Sequence, residues 1–100
     1  MKLAMIGLGK MGANMVRRLV RDGHEVVVFD VNINSVTALA EEDENIIAVS
    51  SLDDLVNILT TPRVIWMMVP HEYVDDTIKS LLTAGAGAGD LLVDGGNSNF

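Results

Sequence analysis

Six residues near the start of the chain, Gly7-Leu8-Gly9-Lys10-Met11-Gly12, have the G-x-G-x-x-G spacing that lets bare backbone approach a phosphate group. The pattern is short and glycine is common, so its weight comes from its surroundings. An apolar run precedes it, helical periodicity follows it, and Asp30 closes the next apolar run. Asp30 stands 18 positions after Gly12, near the spacing of about 20 expected of a ribose-binding acid. In that arrangement Gly7 permits a tight turn out of a strand, Gly9 leaves room for a dinucleotide pyrophosphate, and Gly12 lets a helix lie close to the strand. The first N–H groups of the helix and the positive end of its dipole would hold the pyrophosphate, so no arginine is needed there. Asp30 would accept hydrogen bonds from the adenosine ribose hydroxyls. Its carboxylate would repel a 2′-phosphate, and Val31, Asn32 and Ile33 bring no cation to receive one, so NAD is expected in preference to NADP.

The elements that must position these residues are legible in the hydrophobic pattern. Leu3 to Ile6 is a continuous apolar run, as expected of a strand buried on both faces. Between Ala13 and Asp22, Met15, Val16, Leu19 and Val20 recur at helical spacing with Arg17, Arg18 and Arg21 opposite, and Gly23 stands where a helix ends. Glu25 to Phe29 reads as a second strand. A helix starting near Asn32 or Asn34 turns Val36, Leu39 and Ala40 inward, the acidic run Glu41 to Glu44 reads as solvated, and Ile46 to Val49 makes a third strand. Ser51-Leu52-Asp53-Asp54 opens a helix through Leu55, Val56, Ile58 and Leu59 that stops at Thr61-Pro62. Val64 to Val69 is a fourth strand ended by Pro70, about Tyr73 to Leu82 a further helix, and Leu91 to Asp94 a fifth strand. The alternating glycines Gly85, Gly87 and Gly89 follow a helix and precede a strand, the wrong order for a phosphate loop, and read as a flexible connection.

Strand and helix in strict alternation predict an α/β fold: a Rossmann-type doubly wound parallel sheet of about five strands with right-handed crossovers and helices on both faces. Ligands of such a sheet bind outside the carboxyl ends of its strands, where Gly7, Asp30, Pro70 and Gly95 all fall. Val69, Pro70 and His71 would line that crevice, although His71 alone reads as an exposed residue near a helix start. His24 falls on the opposite edge and reads as structural, and Trp66, Met67 and Met68 as core.

Composition narrows the function classes. One hundred residues fit a single domain with a modest core, and 49% apolar with only 4% aromatic residues makes that core aliphatic. Seven basic against 14 acidic residues give a net charge of −7, which opposes a nucleic-acid partner or an anionic membrane surface. The absence of cysteine excludes disulfides, thiolate metal sites and a cysteine nucleophile. No His, Asp and Glu cluster has metal-ligand spacing, and Ser50, Ser51 and Ser98 have no identifiable base, so neither a metal nor nucleophilic catalysis is expected. No run approaches the ~18 apolar residues of a membrane span, and the opening apolar run is too short for a signal peptide, so a cytoplasmic location is expected.

Beyond these readings, Met5-Ile6-Gly7-Leu8-Gly9-Lys10-Met11-Gly12 and Gly23-His24-Glu25-Val26 resemble the β-hydroxyacid dehydrogenase superfamily. Trp66-Met67-Met68-Val69-Pro70 and Asp94-Gly95-Gly96-Asn97-Ser98 narrow the resemblance to the decarboxylating 6-phosphogluconate dehydrogenase family, over all 100 residues. The resemblance implies oxidation of 6-phosphogluconate by hydride transfer to a nicotinamide, followed by loss of carbon dioxide to give ribulose 5-phosphate. It implies dinucleotide binding by Gly7, Leu8, Gly9, Lys10, Met11 and Gly12, by Asp30, Val31 and Asn32, and by Val69, Pro70, His71 and Asn97. Asn97 would also touch the substrate, where an amide can donate and accept at once. Many members carry Asn-Arg where Asp30-Val31 stand here, which again points to the NAD-preferring type. Small residues commonly follow the Val-Pro, where here His71-Glu72 stands. The family's lysine base, glutamic acid proton donor, serine-glycine-glycine loop and phosphate-binding arginines lie outside the matching stretch. Residues 1–100 are therefore expected to be a dinucleotide-binding domain incomplete at its carboxyl end, without the helical catalytic and dimerisation domain. Catalytic residues are expected beyond Phe100, the chain alone is expected to be inactive, and the full-length protein is expected to be a homo-oligomer. A different β-hydroxyacid dehydrogenase and a non-catalytic nucleotide-binding module are the alternatives.

Overall fold

Strands that are apolar on both faces need cover on both sides, and a computed structural model of the chain, which describes residues 1–95, supplies it with two helices on each face. The elements run β1 (Lys2–Ile6), α1 (Lys10–Arg21), β2 (Glu25–Phe29), α2 (Ile33–Ala40), β3 (Ile46–Ala48), α3 (Leu52–Ile58), β4 (Val64–Met67), a 3-10 turn (His71–Tyr73), α4 (Val74–Ala84) and β5 (Leu91–Asp94). The sheet is parallel throughout, with strand order β3-β2-β1-β4-β5. After β3 the chain returns to the other side of β1, so the order reverses between β1 and β4. In open sheets of this kind, ligands bind outside the carboxyl ends of the strands at such a reversal.

The two-residue period of the strands divides the core. Met5, Val26, Val28 and Ile46 pack with Val16 and Val20 of α1 and with Val36 and Leu39 of α2. Ala4, Ile6, Val27, Ile65 and Met67 pack on the other face with Leu55 and Val56 of α3 and Leu81 of α4. Each large aliphatic residue buried in this way contributes roughly 1.5–3 kcal/mol relative to exposure. Trp66 and Met68 are only half-buried, unlike Met67. They share the α1/α2 face with Leu91 and Val93 at the end of the sheet where helical cover is partial.

Local signals end the helices where the side chains dictate. Asn32 Oδ1 accepts the Asn34 N–H at 3.1 Å and Ser51 Oγ accepts the Asp54 N–H at 3.1 Å, capping α2 and α3. The Gly85 to Gly89 connection is tied down. Gly85 N–H donates to the Leu82 carbonyl and Ala86 N–H to the Leu81 carbonyl, the paired bonds that close a helix over a left-handed glycine, and Ala86 is buried. The expected looseness of this stretch is replaced by a hydrogen-bonded turn.

Two ion pairs differ in environment. Arg17 grips Glu42 through Nε to Oε1 at 2.7 Å and Nη2 to Oε2 at 2.8 Å, joining α1 to the acidic run after α2, but both side chains are exposed. Glu42→Gln is expected to lower Tm by no more than about 5 °C, with the difference largely erased by about 0.5 M salt in a thermal melt. Arg63 and Asp90, by contrast, form a shielded pair at the amino ends of β4 and β5.

Candidate dinucleotide site

The loop between β1 and α1 is built by what its glycines leave out. Gly7 has φ +97°, and its N–H donates to the Phe29 carbonyl at 2.9 Å, pinning the turn between the ends of β1 and β2. A Cβ on Gly7 would stand 2.6 Å from the Met68 carbonyl oxygen and 3.3 Å from the Val69 nitrogen. A Cβ on Gly12 would collide with the Gly7 carbonyl oxygen, so α1 can approach this closely only through glycine. Gly9 is different. Nothing lies within 4 Å of the position its Cβ would take, and the glycine is exposed. The space in front of it is open, as close approach of a pyrophosphate to bare backbone would require.

Gly9 also caps α1 without any side-chain hydrogen bond, and its carbonyl accepts the Ala13 N–H at 2.9 Å. The N–H groups of the first turn, from Lys10 onward, therefore precede the first intrahelical bond and have no partner within the helix. They are suited to the oxygens of an anion, with the helix dipole adding to the attraction. The start of α1 is two residues before Gly12, so Lys10 and Met11 of the motif belong to the helix's first turn rather than to a loop before Ala13. Both are exposed, and Lys10 adds the one positive side chain of the motif. Arg18 and Arg21 sit in the last turn, where they offset the negative end of the dipole.

Asp30 reaches across from the end of β2. Its Oδ2 accepts the Leu8 N–H at 2.6 Å and its Oδ1 accepts the Asn32 N–H at 2.9 Å. The carboxylate is thus beside the glycine loop, as the spacing predicts. Two acceptor positions remain on its oxygens for ribose hydroxyls. Val31 is 94% exposed, an unusual position for valine and one available to pack on an adenine ring. The side chain of Asn32 is committed to capping α2, so that residue offers a ligand its amide donors.

On the β4 side, Met68 N–H donates to the Ile6 carbonyl at 2.7 Å, carrying the chain past the strand's end and alongside Gly7. Val69 is half-buried there, whereas Pro70 and His71 are exposed, with His71 opening the 3-10 turn. The sequence pattern missed Met68 as a site residue. Its carbonyl and Cβ wall the loop, which the β1–β4 register could have revealed but hydrophobicity could not. Gly95 has its own packing reason, since a Cβ there would stand 2.9 Å from Trp66 Cε3 and 3.0 Å from Met68 Sδ. Asn97 lies outside the described residues. His24, on the opposite edge, has a buried Nδ1 with no partner among the described residues. No group of three or more His, Asp or Glu among the described residues could hold a metal ion, and no described helix is long and apolar enough to cross a membrane.

The arrangement can therefore bind a dinucleotide. It offers open space over Gly9, first-turn N–H groups with no partner inside the helix, the Asp30 carboxylate and an apolar edge. A chain from Haloferax volcanii called NAD(+)-dependent, decarboxylating 6-phosphogluconate dehydrogenase is 41% identical over all of this chain and 33% of its own length. A decarboxylating 6-phosphogluconate dehydrogenase from Aggregatibacter actinomycetemcomitans is 38% identical over 98% of this chain and 21% of its own. The chain thus spans about a third or less of these curated relatives. Among solved structures, Plasmodium falciparum 6-phosphogluconate dehydrogenase superposes with TM-score 0.86 over 97% of this chain and 22% of its own, at 22% identity, which bears on the fold alone. Mycobacterium tuberculosis 3-hydroxyisobutyrate dehydrogenase superposes with TM-score 0.74 at 29% identity, over 88% of this chain and 29% of its own. The family model described as the NAD binding domain of 6-phosphogluconate dehydrogenase matches residues 2–100, and the chain belongs to that family.

Proposed function

We propose that the chain is the dinucleotide-binding part of an enzyme that oxidises and decarboxylates 6-phosphogluconate to ribulose 5-phosphate, and that its cofactor is NAD. The observation that carries the cofactor choice is Asp30. Its carboxylate is held against the Leu8 N–H where the adenosine ribose must pass, and no cation stands at Val31, Asn32 or Ile33 to receive a 2′-phosphate. Titration of the protein with both dinucleotides is expected to give a Kd for NAD about tenfold or more below that for NADP. Equal or tighter binding of NADP would remove the assignment.

When bound, the nicotinamide supplies the hydride acceptor. The chain's own contribution is to hold and orient: the first turn of α1 and Gly9 take the pyrophosphate, Asp30 the ribose, and Val31 and the Val69-Pro70-His71 edge the apolar and backbone contacts. Asn97 is proposed to meet both cofactor and substrate and to orient the hydroxyl that is oxidised. The groups that move protons are proposed to belong to a helical domain outside residues 1–100, which also makes the full-length enzyme a homo-oligomer in the cytoplasm. The names of the relatives support the substrate. Assay of the full-length protein with 6-phosphogluconate and with 3-hydroxyisobutyrate separates this reading from the neighbouring dehydrogenase activity. Oxidation of the second compound alone would overturn it.

A further inference from the structure

The two hydrogen bonds made by Asp30 exist before any cofactor arrives, and they join three parts of the site. Oδ2 takes the Leu8 N–H at 2.6 Å, inside the glycine loop, and Oδ1 takes the Asn32 N–H at 2.9 Å, at the cap of α2. Leu8 is otherwise an apolar residue buried in the α1/α2 cluster, and it stands between β1 and α1, outside both elements. Asn32 in turn caps α2 through Oδ1. One carboxylate therefore fixes the height of the loop over β1 and the start of α2 together. We propose that Asp30 is a positioning residue for the glycine loop as well as a ribose acceptor, so that cofactor preference and loop geometry are coupled through one side chain. The second role rests on the dinucleotide reading, but the first does not.

The coupling has a consequence for specificity. An amide at position 30 has one accepting oxygen and a donating nitrogen, so it can satisfy only one of the two N–H groups and would oppose the other. Replacement of Asp30 by asparagine therefore releases either Leu8 or Asn32, and replacement by alanine, which removes the repulsion of a 2′-phosphate together with both oxygens, releases both. Such a substitution by itself is expected to lose NAD without gaining NADP to the same degree.

The test is hydrogen exchange at the Leu8 amide in the cofactor-free protein, by NMR with selective leucine labelling, for the parent and for Asp30→Ala. The Val27 amide in the middle of β2 serves as an internal reference. Exchange at Leu8 is expected to quicken by about tenfold to a hundredfold in the variant, the range for losing a hydrogen bond to a charged group, with Val27 unchanged. Unchanged exchange at Leu8, or equal quickening at Leu8 and Val27, would overturn the positioning role. Binding of both dinucleotides is measured on the same samples. NADP binding by Asp30→Ala as tight as NAD binding by the parent would overturn the coupling. Absence of NAD binding by the parent would instead count against the cofactor assignment and leave the exchange result standing.

Discussion

Alanine at Gly7 or Gly12 is expected to destabilise the fold severely, whereas alanine at Gly9 leaves the fold intact and weakens dinucleotide binding. At Gly7 two costs combine. The backbone is at φ +97°, and the added Cβ meets the Met68 carbonyl oxygen at 2.6 Å. Strain in the left-handed region and overpacking against backbone together cost about 2–6 kcal/mol. At Gly12 the obstacle is the Gly7 carbonyl oxygen, again backbone, so relief requires α1 to move off β1 at about 1–3 kcal/mol or more. Against a total stability of about 5–15 kcal/mol these are large fractions. Gly9 has ordinary extended angles, φ −64° and ψ −177°, and open space beyond it. There alanine is a poorer helix cap than glycine but lowers the entropy of the unfolded chain, two effects below about 1 kcal/mol that oppose each other. The methyl group instead occupies the space proposed for pyrophosphate, and affinity is expected to fall by about tenfold or more. Urea denaturation and calorimetric titration of the three variants check the contrast. Loss of stability at Gly9 equal to that at Gly12, or undiminished NAD binding by Gly9→Ala, would refute the division of roles.

That three glycines with one spacing have different duties was legible in the motif, because strand, turn and helix impose distinct demands on each. The strands were equally legible. β2 runs from Glu25 to Phe29 and β5 from Leu91 to Asp94, as the apolar runs and their polar ends predict. Boundaries failed where tertiary geometry overrides hydrophobicity. Met68 and Val69 continue the apolar run of β4, but the strand ends at Met67, where the chain passes the Gly7 turn. Met15 to Val20 mark the buried stripe of α1, yet the helix begins at Lys10, whose exposed side chain carries no periodic signal.

The site was legible to the level of residue type and less so to the level of partner. Asp30 could be placed at the end of β2 from its position after a β-branched run. Its bond to Leu8, 22 residues away in sequence, depends on the register of β1 against β2, which pairs Ile6 with Phe29. Gly95 shows the converse limit. Its place beyond the carboxyl end of β5 pointed to a ligand, whereas Trp66 and Met68, brought opposite by the β4–β5 register, already require a glycine there.

Asp90 carried no signal at all in the sequence, yet its removal is expected to be among the most damaging single changes outside the site. The side chain is 2% exposed and accepts three hydrogen bonds: from the Arg63 N–H at 2.8 Å, from the Gly87 N–H at 3.0 Å and from Arg63 Nη1 at 3.0 Å. Arg63 Nε is held in turn by the Val56 carbonyl at 3.0 Å. One carboxylate thus ties the start of β4, the turn after α4 and the start of β5. Asp90→Ala strands a shielded guanidinium and two backbone donors, and Tm is expected to fall by roughly 10 °C or more. The backbone donors of Arg63, then Gly87, and the Arg63 guanidinium hold the Asp90 carboxyl below the usual carboxylate range. A carboxyl whose pKa is lower folded than unfolded binds fewer protons in the native state. Its stabilisation is present above the unfolded value of about 3.9 and disappears as pH falls through the lower folded value. The parent is therefore expected to lose stability on acidification below about pH 4 more steeply than Asp90→Asn, which has no proton to take up at that position. Thermal melts of the two proteins from neutral pH down to about pH 3 measure the difference, and parallel curves would show that Asp90 contributes no linkage.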